Sequence, residues 1–286
     1  MYWLKQVQEP KYWLLAIAAA LVTLHLTVLY QADDSEALSM SILFWLTITS
    51  LVWDKQEDLK LDSGIFSSCL GVFIISFVLV RSASPEGYQP SICPFLSLLG
   101  LCLLASGVKQ LRDYWKELLI ISLLIFSPLL AYLLKAIDLA TLTAQFSTFS
   151  LWLIGTGAER EGVFVIIPRS LFMNGGKVEV FGACSGIGNI IQMFSIGILF
   201  LLMIPLNKVQ KIICMGIAVL LGFIINALRV SLLAIFVASS EMDAFDYWHK
   251  DGGSLIFSIL SVSLFGVFCW LLFLRNPPVE SDAGGK

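Results

Sequence analysis

The sequence predicts an all-α integral membrane protein with about eight transmembrane helices. Of its 286 residues, 58% are hydrophobic and only 14% are charged, whereas soluble domains keep roughly a quarter of their residues charged. Apolar runs close to the roughly 20 residues that a helix needs to cross a bilayer also recur along the chain. The whole chain, 1–286, is therefore expected to form a single polytopic membrane domain.

Eight apolar runs support this count of helices. They lie at about 12–30, 37–53, 65–80, 92–107, 118–134, 187–204, 212–237 and 254–274. The third and fourth runs are short, so one of them is a candidate for a re-entrant segment. The first run is too long for a removable signal peptide and lacks a small-residue cleavage site, so we interpret it as a true span.

The distribution of lysine and arginine predicts the orientation, because short cytoplasmic loops collect these residues. With the N-terminus inside, eleven basic residues lie inside and six lie outside. The inner set is Lys5, Lys11, Lys55, Lys60, Lys109, Arg112, Lys116, Lys208, Lys211, Arg275 and Lys286; the outer set is Arg81, Lys135, Arg160, Arg169, Lys177 and Lys250. Both termini of this multi-pass protein are therefore expected on the cytoplasmic side of the cytoplasmic membrane.

This orientation divides the domain into four parts. They are an N-terminal five-helix part (1–134), an extracytoplasmic segment (135–186), a C-terminal three-helix part (187–274) and a cytoplasmic tail (275–286). The start of the extracytoplasmic segment, 138–154, is mildly amphipathic and suits a helix lying along the membrane interface.

The rest of the extracytoplasmic segment has a residue pattern typical of β-strands. Two runs rich in β-branched and aromatic residues, 163–172 and 177–181, flank Asn174-Gly175-Gly176. Because Asn and Gly tolerate the positive φ angles of a tight turn, we expect a small extracytoplasmic β-hairpin before the sixth span. Pro168 should make its first strand an edge strand or interrupt it.

Several classes of function lack their sequence signals. The net charge is −3 and no basic run suggests a nucleic-acid partner. The six cysteines are scattered without a CxxC pair, and neither a Gly-rich phosphate loop nor an HExxH motif occurs. We therefore expect no metal, no cofactor and no bound nucleic acid.

Small residues surround Cys184 at the start of the sixth span, in Gly182-Ala183-Cys184-Ser185-Gly186. They leave the backbone accessible and the thiol uncrowded. Since the N-terminus of a helix favours a thiolate, Cys184 is a candidate nucleophile with Ser185 and Gly186 as supporting residues. The alternative is a helix-packing face with an incidental cysteine.

Arg229 lies inside the seventh span, within Asn226-Ala227-Leu228-Arg229. It is placed roughly 12 Å below the outer end, at 1.5 Å of rise per residue. An arginine at that depth is costly unless it is paired or hydrated, so it is a functional candidate. Snorkelling is the alternative, although the side chain reaches only part of the distance. Asn226, one turn away, can hydrogen-bond Arg229 or a substrate carbonyl.

The chain has only two histidines, His25 and His249. His249 precedes the eighth span, where Asp246 or Asp251 can orient its imidazole, although a loop histidine is often only solvated. His25 lies mid-span without an acidic neighbour, and we expect it to be a packing residue. The proposed topology places Cys184, Arg229 and His249 at or near the outer face. A thiolate, a proton-transferring imidazole and a fixed cation suffice for acyl transfer.

These residues resemble the exosortase/archaeosortase family of membrane transpeptidases. The resemblance rests on Ala183-Cys184-Ser185-Gly186-Ile187, on Asn226-Ala227-Leu228-Arg229-Val230 and on His249, in that order. It implies that Cys184 is the nucleophile, Arg229 the charge stabiliser and His249 the acid/base. The Gly-Ala before Cys184 departs from the acidic flank of many members, and we expect a cyanobacterial-type exosortase.

The resemblance also implies the substrates. They would be exported proteins with a C-terminal sorting signal: a short motif such as PEP, a hydrophobic span and a basic tail. Cleavage at the outer face would acylate Cys184, and an acceptor nucleophile that the sequence does not identify, such as an amine or water, would release the product.

Two other classes of function stay open at this point. A transporter would use Arg229 to bind an anion. Transporters, however, often show broken helices in two related halves, whereas the candidate polar residues here all lie in the C-terminal part of the chain. A non-catalytic membrane scaffold would explain the small-residue faces but leaves Arg229 unexplained.

The orientation can be tested with reporter fusions. Because the basic residues favour cytoplasmic termini, fusions after Lys116 and Lys211 should report the cytoplasm, and a fusion near Asn174 should report the outside. A cytoplasmic reporter at Asn174 would place the candidate residues on the wrong face.

Overall fold

The computed structural model describes residues 9–83, 89–170, 173–249 and 252–275. The described chain is mostly helical, with one small β-sheet. It divides into two compact units, Met1–Leu130 and Ala131–Lys286, and each unit is built around its own buried residues.

The first unit consists of helices joined by short connections. They are α1 (Pro10–Gln31), α2 (Ser35–Asp54), α3 (Ile65–Ser82), α4 (Cys93–Ser106) and a 3-10 helix (Val108–Tyr114) that leads into α5 (Trp115–Leu134), whose last turn lies beyond the unit boundary. The local sequence explains where two of them begin. Pro10 occupies the first turn of α1, and the Asp34 side chain accepts a hydrogen bond from the Ala37 N–H at the start of α2.

Polar residues are buried in the first unit as pairs. The His25 Nε2 lies 3.0 Å from the Ser41 hydroxyl, and His25 is almost fully buried. Lys55 Nζ lies 2.9 Å from the buried Glu117 carboxylate and also bonds the Asp113 carbonyl. The contact with Ser41 fits a packing role for His25, because it holds the His25 ring between two helices.

The second unit carries the sheet and the remaining helices. The elements are α6 (Leu139–Leu153), β1 (Glu159–Glu161), β2 (Phe164–Ile167), β3 (Gly176–Glu179), a 3-10 helix (Gly182–Ser185), α7 (Ile187–Met203), α8 (Lys208–Ala238), α9 (Met242–His249) and α10 (Gly252–Cys269), followed by a π-helical turn (Trp270–Leu274). Its core packs the buried faces of β2 and β3 against α6 and α8.

The sheet is antiparallel with strand order β1–β2–β3. Strand β2 lies within the first of the two runs from which the sequence predicts a hairpin. Strand β3 begins one residue before the second run, at Gly176, and β1 is an additional strand. Because β2 is the central strand, it cannot continue through a residue without an N–H, and it ends at Ile167 immediately before Pro168.

Within the described ranges, six helical segments are long and apolar enough to cross a membrane. They are Pro10–Gln31, Ser35–Asp54, Ile65–Ser82, Val108–Leu134, Lys208–Ala238 and Gly252–Leu274. The two other apolar runs form the shorter helices Cys93–Ser106 and Ile187–Met203. All eight apolar runs are thus helical, while the crossing of the membrane by all eight stays a prediction.

Helices α7 and α8 approach closely because Gly222 lies at their contact. A Cβ added to Gly222 would lie 2.7 Å from the carbonyl oxygen of Asn189 in α7. Such a contact is with backbone, which cannot rotate away, so the absence of a side chain at Gly222 sets the spacing of the two helices.

A matched pair of glycines in α8 tests this spacing. Gly222→Ala should destabilise the protein by about 1–3 kcal/mol through overpacking, whereas Gly216→Ala should not, because no atom lies within 4 Å of a Cβ added there. Thermal unfolding of both variants in detergent measures the difference. Equal melting temperatures would show that α7 and α8 are not held this closely.

Candidate active site

Cys184 lies in the 3-10 turn that precedes α7. Its N–H donates to the Phe181 carbonyl at 3.1 Å, and the Ser185 hydroxyl donates to the Gly182 carbonyl at 2.7 Å, which closes the turn. The Cys184 side chain is only 4% exposed. The sequence placed the thiol at the opening of the helix, and the structure places it one tight turn earlier.

Gly186 connects this turn to α7 in a conformation that favours glycine. Its φ angle is +89°, in the left-handed region. A Cβ at this position would also lie 2.9 Å from the Asn226 amide nitrogen. The supporting role predicted for Gly186 therefore has two physical reasons, backbone conformation and space for Asn226.

Two hydrogen bonds from neighbouring helices fix the backbone of the turn. Asn226 Nδ2 of α8 donates to the Cys184 carbonyl at 2.9 Å, and the Thr143 hydroxyl of α6 donates to the Ser185 carbonyl at 3.0 Å. Both bonds are buried, where an unpaired carbonyl would be costly. The position of the thiol thus depends on α6 and α8 as well as on its own turn.

Thr143 was not predicted from the sequence. Neither was Ser147, one turn further along α6, whose hydroxyl donates to the Ala227 carbonyl of α8 at 2.8 Å. Both side chains are fully buried. A buried hydroxyl in an amphipathic helix is common, so the only sequence signal was the recurrence of Thr and Ser on one face of α6.

Arg229 lies buried in α8, about 13 Å from its C-terminal end at Ala238, and is 4% exposed. Its Nη2 donates to the His249 carbonyl at 2.6 Å. Within the described residues its Nε–H has no hydrogen-bond partner. The guanidinium therefore anchors one element of the site and retains a buried donor that can serve a bound group.

His249 is the last residue of the short helix α9. Its Nδ1 lies 3.5 Å from the Cys184 sulfur, and its ring stacks on Phe245 with 5.2 Å between centroids and 9° between planes. Asp246 lies one turn before His249 on the same helix, and Asp251 lies outside the described residues. The stacking restricts the imidazole to the orientation that faces the thiol.

The site thus brings Cys184, Arg229 and His249 together from three separate segments. Asn226, Ser185 and Gly186 hold the turn around the thiol, and Asp246 lies on the helix that carries the imidazole. His25 belongs to the other compact unit. Phe245, like Thr143, is a residue of the site that the sequence did not single out.

Burial raises the pKa of the Cys184 thiol above its ordinary value, and the Arg229 guanidinium partly opposes this shift. The structure thus adds burial, which opposes the thiolate that the sequence favours at the start of the helix. Removal of a proton from the sulfur requires a base, and the imidazole of His249 is within reach.

Alkylation of Cys184 tests the influence of Arg229 on the thiol. Because Arg229 lowers the pKa of Cys184, Arg229→Gln should shift the pH dependence of iodoacetamide alkylation to higher pH, whereas Arg229→Lys, which keeps the charge, should shift it less. Mass spectrometry follows the Cys184 peptide, and the exposed Cys69 provides an internal reference. An unchanged or lower midpoint in Arg229→Gln would contradict the proposed influence.

Comparison with known proteins identifies the family of the chain. Residues 29–266 match the family described as transmembrane exosortase (Exosortase_EpsH), and no curated protein or solved structure gives a significant match. The matched range covers well over half of the chain and includes Cys184, Arg229 and His249. With its several apolar helices, this protein belongs to the transmembrane exosortase family of multi-pass membrane proteins.

Proposed function

We propose that this protein is a membrane cysteine transpeptidase or protease that cleaves the C-terminal sorting signal of exported proteins. The observation that carries the proposal is the 3.5 Å separation between the Cys184 sulfur and His249 Nδ1. A nucleophile within hydrogen-bond reach of a base is the arrangement that covalent catalysis requires. Family membership supports a role in protein sorting.

The first step is attack by sulfur on a peptide carbonyl. His249 takes the proton from the Cys184 thiol, the new thiolate adds to the carbonyl carbon, and negative charge moves to the carbonyl oxygen. Because burial disfavours the free thiolate, proton removal and attack are coupled in this site. His249 is well placed for this role because its carbonyl is bonded to Arg229 and its ring is stacked on Phe245.

Arg229 is assigned to the developing oxyanion. Its Nε–H lacks a partner in the described part of the chain, and a buried cation is worth more to a transition-state charge than an exposed one. The side chain is already held by its bond to the His249 carbonyl, so little reorganisation accompanies the reaction.

The second half of the reaction releases the enzyme. Collapse of the tetrahedral intermediate breaks the peptide C–N bond, and His249 returns its proton to the departing amine of the tail. This leaves a thioester on Cys184. An acceptor amine or water then attacks the thioester, with His249 acting as base, and the thiol is restored. We place this chemistry at the extracytoplasmic face of the cytoplasmic membrane, from the charge distribution of the loops.

Substitution of the nucleophile tests the mechanism most directly. The substrate is a co-expressed exported protein that ends in a short motif, a hydrophobic span and a basic tail, and loss of its tail is followed on immunoblots. Cys184→Ala should abolish tail removal. Cys184→Ser should be nearly as inactive, because a hydroxyl has a far higher pKa than a thiol and is not ionised by the same surroundings.

Substitution of Arg229 or His249 should reduce processing less completely than substitution of Cys184. Arg229→Lys keeps the charge but loses the planar fork, so processing should be strongly impaired. His249→Ala should lose the acid/base contribution, on the order of 10²–10⁴ in rate. His25→Ala is the matched control and should process normally, because His25 bonds Ser41 within the first unit.

Each variant is first shown to reach the membrane at normal levels, because Arg229 also holds α9. Normal processing by Cys184→Ala would overturn the assignment. So would an inactive His25→Ala variant beside an active His249→Ala variant.

A further inference from the structure

Strand β3 is an edge of the sheet, and its pairing defines which of its backbone groups are free. Val178 lies opposite Val165 of β2, and the Val180 N–H donates to the Val163 carbonyl at 3.0 Å. In an antiparallel ladder, alternate residues direct both their N–H and C=O to the same neighbour. Val178 and Val180 therefore face β2.

The intervening residues Lys177 and Glu179 then direct their N–H and C=O groups away from β2. Among the described residues, no backbone hydrogen bond outside the ladder engages these groups. We call these outward N–H and C=O groups of Lys177 and Glu179 the β3 edge. Unpaired groups on a strand edge are a template for pairing with a further extended chain.

The contacts of β3 with other elements are made through its two faces. Helix α8 packs on the buried face of the sheet, where a Cβ on Gly176 would lie 2.8 Å from a methyl group of Val237. On the opposite face, Lys177 Nζ bonds the Glu161 carboxylate of β1 at 2.9 Å and lies over the Phe164 ring. Both sets of contacts involve the faces of the sheet, not the edge.

The β3 edge is continuous with the thiol. Glu179 is the last residue of β3, Val180 still pairs with Val163, and the Phe181 carbonyl then accepts the Cys184 N–H. A strand rises about 3.3 Å per residue, and a neighbouring strand lies about 4.8 Å away. A chain paired with β3 is thereby led past Phe181 toward Cys184.

The other edge of the sheet is less suited to this role. In β1, the backbone N–H and C=O groups of Glu159 and Glu161 point toward β2, where they pair with Ile166 and Phe164. Only the backbone groups of Arg160 point outward from β1. Strand β1 also lies two strand spacings, about 10 Å, from β3. It offers a shorter edge further from the nucleophile and provides a matched control.

We propose that the β3 edge binds the substrate as an added β-strand, in which the extended segment next to the scissile bond forms main-chain hydrogen bonds with Lys177 and Glu179. The proposal rests on the proposed function and specifies how its peptide substrate is held. A strand presents its carbonyl groups in fixed register, so this pairing positions one peptide bond at the sulfur of Cys184.

Proline substitutions test the edge directly. Glu179→Pro removes an outward N–H without removing a ladder bond to β2, and Arg160→Pro does the same at the other edge. With purified enzyme and the same substrate purified with its tail intact, Glu179→Pro should raise KM about tenfold with little change in kcat, from the loss of a main-chain hydrogen bond. Arg160→Pro should behave like the wild type.

A second measurement does not depend on the folding of a variant. A synthetic peptide spanning the cleavage junction of the same substrate is used as a competitive inhibitor of the wild-type enzyme, with one amide N-methylated at a time. A paired strand predicts loss of inhibition at every second residue. Uniform effects along the peptide, or equal KM values for Glu179→Pro and Arg160→Pro, would overturn the proposal.

The two proposals fail in different ways. If Cys184→Ala still removes the tail, the proposed function is wrong. If tail removal requires Cys184 but inhibition shows no period of two, the cysteine chemistry stands and the β3 edge does not hold the substrate.

Discussion

Arg229 donates to the main-chain carbonyl of His249 from within α8, and the arrangement of the site depends on this bond. A guanidinium at that depth is costly unless its donors are used, so the burial of Arg229 itself favours docking of α9. Helix α9 has only eight residues, none of them buried, and it packs on the core through the partly buried Phe245 and Trp248. The bond from Arg229 adds a polar anchor at its last residue. The same cation that is assigned to the oxyanion therefore also keeps the base beside the thiol.

The turn that carries the thiol is held in a similar way, by polar bonds from helices that do not belong to it. Asn226 binds the Cys184 carbonyl, and Thr143 binds the Ser185 carbonyl. Gly186 provides the left-handed backbone and the space that Asn226 needs. Because Asn226 and Arg229 are neighbours on one face of α8, a single helix positions both Cys184 and His249. Close approach of α7 and α8 at Gly222 maintains this geometry.

Much of this arrangement could be predicted from the sequence, for identifiable reasons. A bilayer penalises charge so strongly that the apolar runs reveal the helices, and the same penalty singles out Arg229. The scarcity of histidine singles out His249. Thr143 and Ser147 could not be recognised, because each donates a hydrogen bond to a backbone carbonyl that lies more than forty residues away along the chain. Strand β1 is three charged residues that the sequence gives no reason to pair. The pKa of Cys184 also depends on tertiary burial and on Arg229, which the local sequence does not reveal.

The burial of Cys184 has a consequence for the chemical lifetime of the protein. At the extracytoplasmic face, to which the proposed function assigns the site, disulfides form readily. Peroxides and disulfides react with the thiolate rather than the neutral thiol, and they must first reach the sulfur. Cys184 is only 4% exposed and its pKa is raised, so oxidants reach the sulfur less easily and less of it is thiolate. In the proposed mechanism, the burial that makes Cys184 depend on His249 for proton removal thus also slows oxidation of the thiol between turnovers.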